Sequence, residues 1–239
     1  MTTTQLPLGV TLHDSATFAN YVPGINQVIY QTLQQLIVSQ EQNYLYLCGT
    51  TGTGKTHLLQ AVCQQIGQQG KTPIYLPLRY FYQVEVSILE GVETRDCVCI
   101  DDIQAIVGLP QWEEALFHLF NRLKDNQTLQ IISGDVPPQE LGLQLPDLIS
   151  RLAWGGIFAL QSLDDDSKIQ ALQIHAARRG LILSDEVALY LTRHCTRDMH
   201  NLMKWLERID YASLAAQRKI TIPFIRTLLI EFSELADNK

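Results

Sequence analysis

Residues 49–56 read Gly49-Thr50-Thr51-Gly52-Thr53-Gly54-Lys55-Thr56 and fit the pattern G-x-x-x-x-G-K-[ST] at every fixed position. Few eight-residue stretches dictate so much of a fold. Glycines here let backbone N–H groups turn inward toward phosphate oxygens, a lysine reaches the β- and γ-phosphates, and a threonine hydroxyl meets Mg²⁺. The arrangement works only if a strand delivers the turn and a helix leaves it with its positive N-terminus on the phosphates. Both are present. The apolar run Tyr44–Cys48 precedes the turn, and Leu58, Leu59, Val62, Cys63 and Ile66 follow at helical spacing, with Gly67 and Gly70 as stop signals. A nucleotide, ADP or ATP with Mg²⁺, is therefore expected on Gly49, Gly52, Thr53, Gly54, Lys55 and Thr56.

Strand-like and helical segments alternate around this motif. Ile25, Val28, Ile29, Leu36 and Ile37 predict a helix over 25–38; short apolar runs predict strands at 74–76, 98–100, 129–132 and 157–160; a leucine-rich stripe predicts a helix over 112–123. Alternation of this kind predicts an α/β domain with a parallel sheet covered on both faces. After Leu160 the pattern is helical only. Asp164-Asp165-Asp166 gives one helix an acidic first turn and Gly180 closes it; Ser184 caps a second; Thr196 precedes a third with Met199, Leu202, Met203, Leu206 and Ile209 on one side; Thr221 and Pro223 open the last. The Asp164–166 triplet reads as helix-end charge rather than a metal cluster, and the two methionines as core filler. Charge changes at the same place: residues 1–156 hold 7 Lys+Arg against 14 Asp+Glu, and 157–239 hold 11 of each. The expected organisation is a tail over 1–12, an α/β nucleotide-binding core over 13–161 and a small helical domain over 162–239.

Composition narrows the function classes. A 46% hydrophobic content excludes intrinsic disorder, and no apolar run approaches the ~20 residues a membrane span requires. The first residues lack a basic region before an apolar one, so no secretory signal is expected and the cytoplasm is. A net charge of −7 disfavours direct nucleic-acid binding, which needs clustered Lys and Arg. Cys48, Cys63, Cys97, Cys99 and Cys195 lie mostly in apolar runs, so core thiols are expected over a metal site.

Three more segments carry chemistry. The strand at 98–100 ends in Asp101-Asp102. Asp101 is the Walker B candidate that completes the Mg²⁺ shell with Thr56, and Asp102 stands where a catalytic Glu often polarises water. Asp102 is one methylene short for that task, so hydrolysis by this chain alone is expected to be slow or absent. Ser133 and Asp135 follow the strand at 129–132, within range of Asp101 and a γ-phosphate. Arg151 lies in an apolar, acid-poor stretch; it is either a surface ion-pair partner or a finger acting in trans on a neighbour's nucleotide.

Gly54-Lys55-Thr56-His57-Leu58-Leu59, Ile100-Asp101-Asp102-Ile103-Gln104, Ser133-Gly134-Asp135 before Pro137-Pro138, and Ser150-Arg151-Leu152 before Trp154-Gly155 resemble the AAA+ module of the bacterial replication initiator DnaA. With Gln5-Leu6-Pro7-Leu8, Leu145-Pro146-Asp147-Leu148 and residues 215–224 added, nearly the whole chain is similar to the DnaA-homologous regulatory inactivators of DnaA, the Hda family. The resemblance implies a five-stranded AAA+ core followed by a helical lid, with adenine near Phe18, Tyr21 and Val22 and with His57 in the nucleotide-binding set. It assigns Asp135 as sensor 1 and Arg151 as the arginine finger. It implies a negative regulator of chromosomal replication initiation, whose partner DnaA has its ATP hydrolysed in trans to give inactive ADP-DnaA. Gln5, Leu6 and Leu8 would dock as an extended peptide in the hydrophobic pocket of the DNA polymerase III sliding clamp (the beta subunit). DNA is then met only through the clamp, and a homo-oligomer is compatible with the family.

Two departures from an initiator matter. Only 45 residues separate Lys55 from Asp101, too few for the initiator's extra helical insertion, and the chain stops at Lys239 with no helix-turn-helix expected after the lid. The sensor 2 arginine falls on His200, with Arg197 three residues earlier as its substitute; a neutral imidazole cannot replace a guanidinium at a γ-phosphate, so poor discrimination between ADP and ATP is expected. The competing function is an autonomous ATPase, a helicase loader or transposition helper on single-stranded DNA. That would need a basic groove.

Overall fold

The structure is a computed structural model that describes residues 16–39, 43–81, 83–195 and 198–237, with side chains through residue 231. Gln5, Leu6, Leu8 and Arg197 lie outside the described residues, as does Thr196. In chain order the elements are α1 (Gln27–Ser39), β1 (Tyr44–Cys48), α2 (Lys55–Gln68), β2 (Pro73–Pro77), α3 (Leu78–Phe81), β3 (Cys97–Asp101), α4 (Pro110–Asp125), β4 (Leu129–Gly134), α5 (Pro146–Leu152), β5 (Gly156–Ala159), α6 (Asp165–Arg178), α7 (Asp185–His194), α8 (Met199–Ala216) and α9 (Ile222–Asp237).

The strands form one sheet in the order β2-β3-β4-β1-β5, and every neighbouring pair is parallel. β1, β3 and β4 are buried at every position, as the central strands of a two-faced parallel sheet must be, and the burial includes the polar Gln130, Ser133 and Asp101. β5 lies at the edge and alternates half-buried with exposed residues. It ends at Ala159, one residue short of the expected 157–160, while β4 runs on to Gly134. The helix after the phosphate turn passes through Gly67, because a helix tolerates one glycine at ~1 kcal/mol. Gly70, at φ +77°, reverses the chain instead, and the Lys71 amide bonds back to the Ile66 carbonyl at 3.3 Å.

The chain divides into two compact units. One holds the described residues up to Tyr21, Tyr30–Cys48 and Lys55–Ala159; the other holds Val22–Ile29, Gly49–Gly54 and the chain from Leu160 onward. The division is not linear, since two short segments, one of them the glycine turn, belong with the helices.

In the first unit, alternate strand residues Tyr46, Cys48, Val98, Ile100 and Ile132 pack with Leu116, Leu119 and Leu123 of α4 and Leu148 and Leu152 of α5. The opposite parity puts Cys97 and Cys99 side by side, Sγ atoms 3.8 Å apart, while the Cys63 thiol of α2 donates to the Ile74 carbonyl at 3.8 Å. All five cysteines are buried free thiols. Of the described glycines, Gly134 at the end of β4 has the least room for a side chain. A Cβ on Gly134 would stand 2.0 Å from the Tyr46 hydroxyl, which donates to the Val136 carbonyl at 3.0 Å.

In the second unit, Leu172, Leu191, Leu202, Leu206, Ile209 and Ile225 close one core from all four helices, and Met199 and Met203 pack against it. The helices are capped as short polar residues allow. Asp164 accepts the Ser167 amide at 2.8 Å, Ser184 the Val187 amide at 3.4 Å and Asp198 the Asn201 amide at 2.9 Å. The third lid helix is thus capped by Asp198, two residues beyond Thr196. Asn26 grips Gln161 twice, its Nδ2 donating to the carbonyl at 2.8 Å and its Oδ1 accepting the amide at 2.9 Å.

Gly134→Ala is expected to cost about 1–3 kcal/mol in urea unfolding. Tyr46→Phe in that background should cost less than it does alone, giving a coupling of about 1 kcal/mol in a double-mutant cycle. The caps predict a pH effect. Hydrogen bonds from Ser167 hold the Asp164 carboxyl below its usual range; at Asp198 burial opposes the shift, but the Asn201 hydrogen bonds leave that carboxyl lowered too. A lowered folded-state value stabilises above the unfolded value near ~3.9 and is lost as pH falls through the folded one. Thermal melts between pH 6 and pH 3 should therefore fall less steeply for Asp164→Asn, which keeps the cap without the charge.

Candidate functional site

β3 ends by carrying a carboxylate into the interior. Asp101 is 0% exposed, and a buried charge persists only when its oxygens are paired. Three hydroxyls pair it. Ser133 Oγ donates to Oδ1, while Thr56 Oγ1 and the Tyr75 hydroxyl each donate to Oδ2 at 2.7 Å. Burial and the adjacent Asp101 charge push the Tyr75 hydroxyl far above the usual phenol range, so it stays protonated and donates. The expected Mg²⁺ pair, Thr56 and Asp101, is in direct contact. Tyr75 is new. The register sets Pro77 opposite Asp101 and Tyr75 opposite Cys99, so a phenol two positions back on the neighbouring strand has the length to reach. Only strand register reveals that.

Asp102 occupies the left-handed region at φ 60° and ψ 52°, which costs a non-glycine residue roughly 1–2 kcal/mol. Its amide donates to Ser133 Oγ at 3.2 Å. Its carboxylate accepts from Arg79 Nε on one oxygen and from Gln104 Nε2, at 3.1 Å, on the other. Burial first, then the Asp101 charge, raise the Asp102 carboxyl above its usual range, against the pull of Arg79. Sequence reasoning gives Asp102 an attacking water; here both its oxygens are engaged, and Arg79 was not foreseen. Lys55, itself buried, reaches Asp135 Oδ1 at 3.2 Å, so two residues expected at the γ-phosphate meet.

The turn Thr17–Tyr21 is tied down within the first unit. Thr17 and Asn20 form a capping box, His57 Nε2–H donates to the Thr17 carbonyl at 2.9 Å, and the Tyr30 hydroxyl donates to the Phe18 carbonyl at 3.2 Å. Tyr21 stacks on Tyr30 with centroids 5.9 Å apart and leans on His57 at 5.3 Å. Phe18 is buried here, and Val22 is buried in the second unit.

Within the second unit the glycine turn lies on the first turn of α8. Gly52 sits at φ +85°, and a Cβ there would stand 3.3 Å from the backbone nitrogens of Met199 and His200. Thr53 Oγ1 closes the turn on the Thr50 carbonyl at 2.8 Å. His200 offers its backbone nitrogen at this point while its side chain is exposed. One carboxylate and one hydroxyl suit a hard Mg²⁺ that takes its remaining oxygens from phosphates and water. Among the described residues no cluster of three or more His, Cys, Asp or Glu could hold a metal alone. The residues present fit a metal that arrives with its nucleotide.

Arg151 lies in the last turn of α5, and its side chain has no ion pair or hydrogen bond among the described residues. The helix is fixed at both ends. Glu113 of α4, 1% exposed, accepts the Gln144 and Leu145 amides at 2.8 Å on one oxygen and the Gly108 amide at 3.1 Å on the other. The Tyr44 hydroxyl donates to the Leu152 carbonyl at 2.7 Å. Neither was foreseen, since a Glu in a helix reads as solvated. Glu113→Gln puts an amide nitrogen against backbone donors and should cost about 2 kcal/mol. A urea midpoint equal to that of the wild type would contradict this.

Comparison with known proteins agrees with the geometry. Residues 12–159 match the model of the bacterial DnaA ATPase domain, and residues 165–229 match that of the Hda lid domain. Domain III of the Thermotoga maritima replication initiation protein DnaA superposes with a TM-score of 0.82 at 24% identity, over 93% of this chain and 98% of that one. AMPPCP-bound DnaA from Aquifex aeolicus gives 0.70 at 26%, over 83% of this chain and 66% of that one. The Thermotoga maritima RuvB Holliday junction branch migration motor shares the fold at 0.63 and 16% identity, over 85% of this chain and 66% of that one. The fold is thus an AAA+ domain of DnaA type followed by an all-helical lid, and with the ATPase-domain match spanning more than half of its length, the chain belongs to the bacterial DnaA ATPase domain family.

Proposed function

We propose that this chain is a nucleotide-bound, cytoplasmic negative regulator of chromosomal replication initiation that acts on DnaA. ADP or ATP with Mg²⁺ is held by Gly49, Gly52, Thr53, Gly54, Lys55 and Thr56, with Asp101 completing the metal shell and Asp135 beside Lys55. Bound Mg²⁺ supplies charge neutralisation at the phosphates. Phe18, Tyr21 and Val22 take the base, with His57 behind them, and His200 and Arg197 stand for sensor 2. The tail residues Gln5, Leu6 and Leu8 tether the protein to the sliding clamp on DNA.

The observation that carries this reading is Arg151. A cation with no ion pair or hydrogen bond among the described residues, on a helix fixed at both ends, supports a role in another protein's site. An arginine finger contributes about 10³–10⁵ in rate in other NTPases, so one residue suffices to convert ATP-DnaA to ADP-DnaA. The Arg79 and Gln104 contacts to Asp102 agree with slow hydrolysis by the chain itself.

The test is ATP hydrolysis on DnaA with this protein, the clamp and DNA. Stimulation should be lost in Arg151→Ala and in a chain lacking residues 1–9, while ADP binding persists in both. Retained stimulation in either variant would remove the corresponding part of the mechanism. Hydrolysis by this chain alone, stimulated by single-stranded DNA, would mark an autonomous ATPase instead.

A further inference from the structure

Of the three hydroxyls on Asp101, two belong to the phosphate chemistry already described: Thr56 follows the lysine of the motif, and Ser133 also receives the Asp102 amide. Tyr75 belongs to neither. It lies on β2, nearly buried, with its hydroxyl 2.7 Å from Asp101 Oδ2, the oxygen that Thr56 also uses. The phenol has one proton, and a carboxylate only accepts, so that proton goes to Asp101. The buried Gln60 side chain of α2, one helical turn after Thr56, acts on the same hydroxyl against the push of burial and of the Asp101 charge.

Among the described residues every hydrogen-bond donor to the Asp101 carboxylate is a neutral hydroxyl, whereas its neighbour Asp102 takes the guanidinium of Arg79. The distinction matters for a cation site. A fixed positive charge on Asp101 would compete with Mg²⁺, but hydroxyls pair the buried oxygens and leave the negative charge for the metal. They also fix orientation. The outer torsion of an aspartate is broad and roughly two-fold, so an unheld carboxylate swings. Donors from β2, α2 and β4 set its plane.

We propose that Tyr75 is a positioning residue of the cation site, setting the Asp101 carboxylate so that a divalent metal meets it together with the Thr56 oxygen. The proposal rests on the reading that this chain binds nucleotide with Mg²⁺. Loss of an outer-shell partner of this kind costs about 10–100-fold in metal affinity.

The test is calorimetric titration of the full chain with ADP, in EDTA and in saturating MgCl₂, read as the ratio of the two dissociation constants. Tyr75→Phe should lower that ratio about tenfold. Tyr46→Phe removes a hydroxyl of the same kind from the same sheet and should keep the wild-type ratio, which separates positioning from general loss of packing. A Tyr75→Phe ratio equal to that of the wild type, or an equal fall in Tyr46→Phe, overturns the inference while leaving the nucleotide reading intact. A wild type that binds no ADP, or binds it equally with and without Mg²⁺, overturns both.

Discussion

A carboxylate at zero exposure is the constraint around which the first unit is built. Asp101 must stay charged to be useful and paired to stay buried, so the strands beside it are obliged to deliver donors. β4 brings Ser133, β2 brings Tyr75, and the turn into α2 brings Thr56. The sheet order β2-β3-β4 follows the same need, since it sets β3 between the two strands that satisfy its terminal residue. Placing such an acid at the end of a central strand makes the sheet register a condition of the chemistry. A slip of one residue would turn the donors to the other face.

Much of this was legible in the residues, and the reason is periodicity. β1 and most of β3 are apolar runs, and β4 is buried throughout although Gln130 and Ser133 interrupt it, because both faces are covered; the Lys55–Thr56 turn announces strand before and helix after. The lid helices carry their own punctuation in Asp164, Ser184 and Gly180. Illegible were the contacts that depend on which strand lies next to which. Tyr75 lies 26 residues before Asp101 and Glu113 lies 31 before Gln144; only the fold brings them together. Asp102 shows the same limit, since the sequence places an acid after Asp101 without saying that Arg79 holds it.

The division of the molecule adds a point that motif reading misses. A single continuous motif crosses from one unit to the other between Gly54 and Lys55. Its glycines keep company with the first turn of α8, and its lysine and threonine with Asp135 and Asp101.

The double anchoring of α5 has a consequence for any encounter that uses Arg151. Segments that order only on contact surrender conformational freedom at that moment, and affinity suffers for it. The backbone beneath Arg151 has already given up that freedom, because Glu113 and Tyr44 fixed the helix when the domain folded. A partner meeting this surface has only one long side chain left to immobilise.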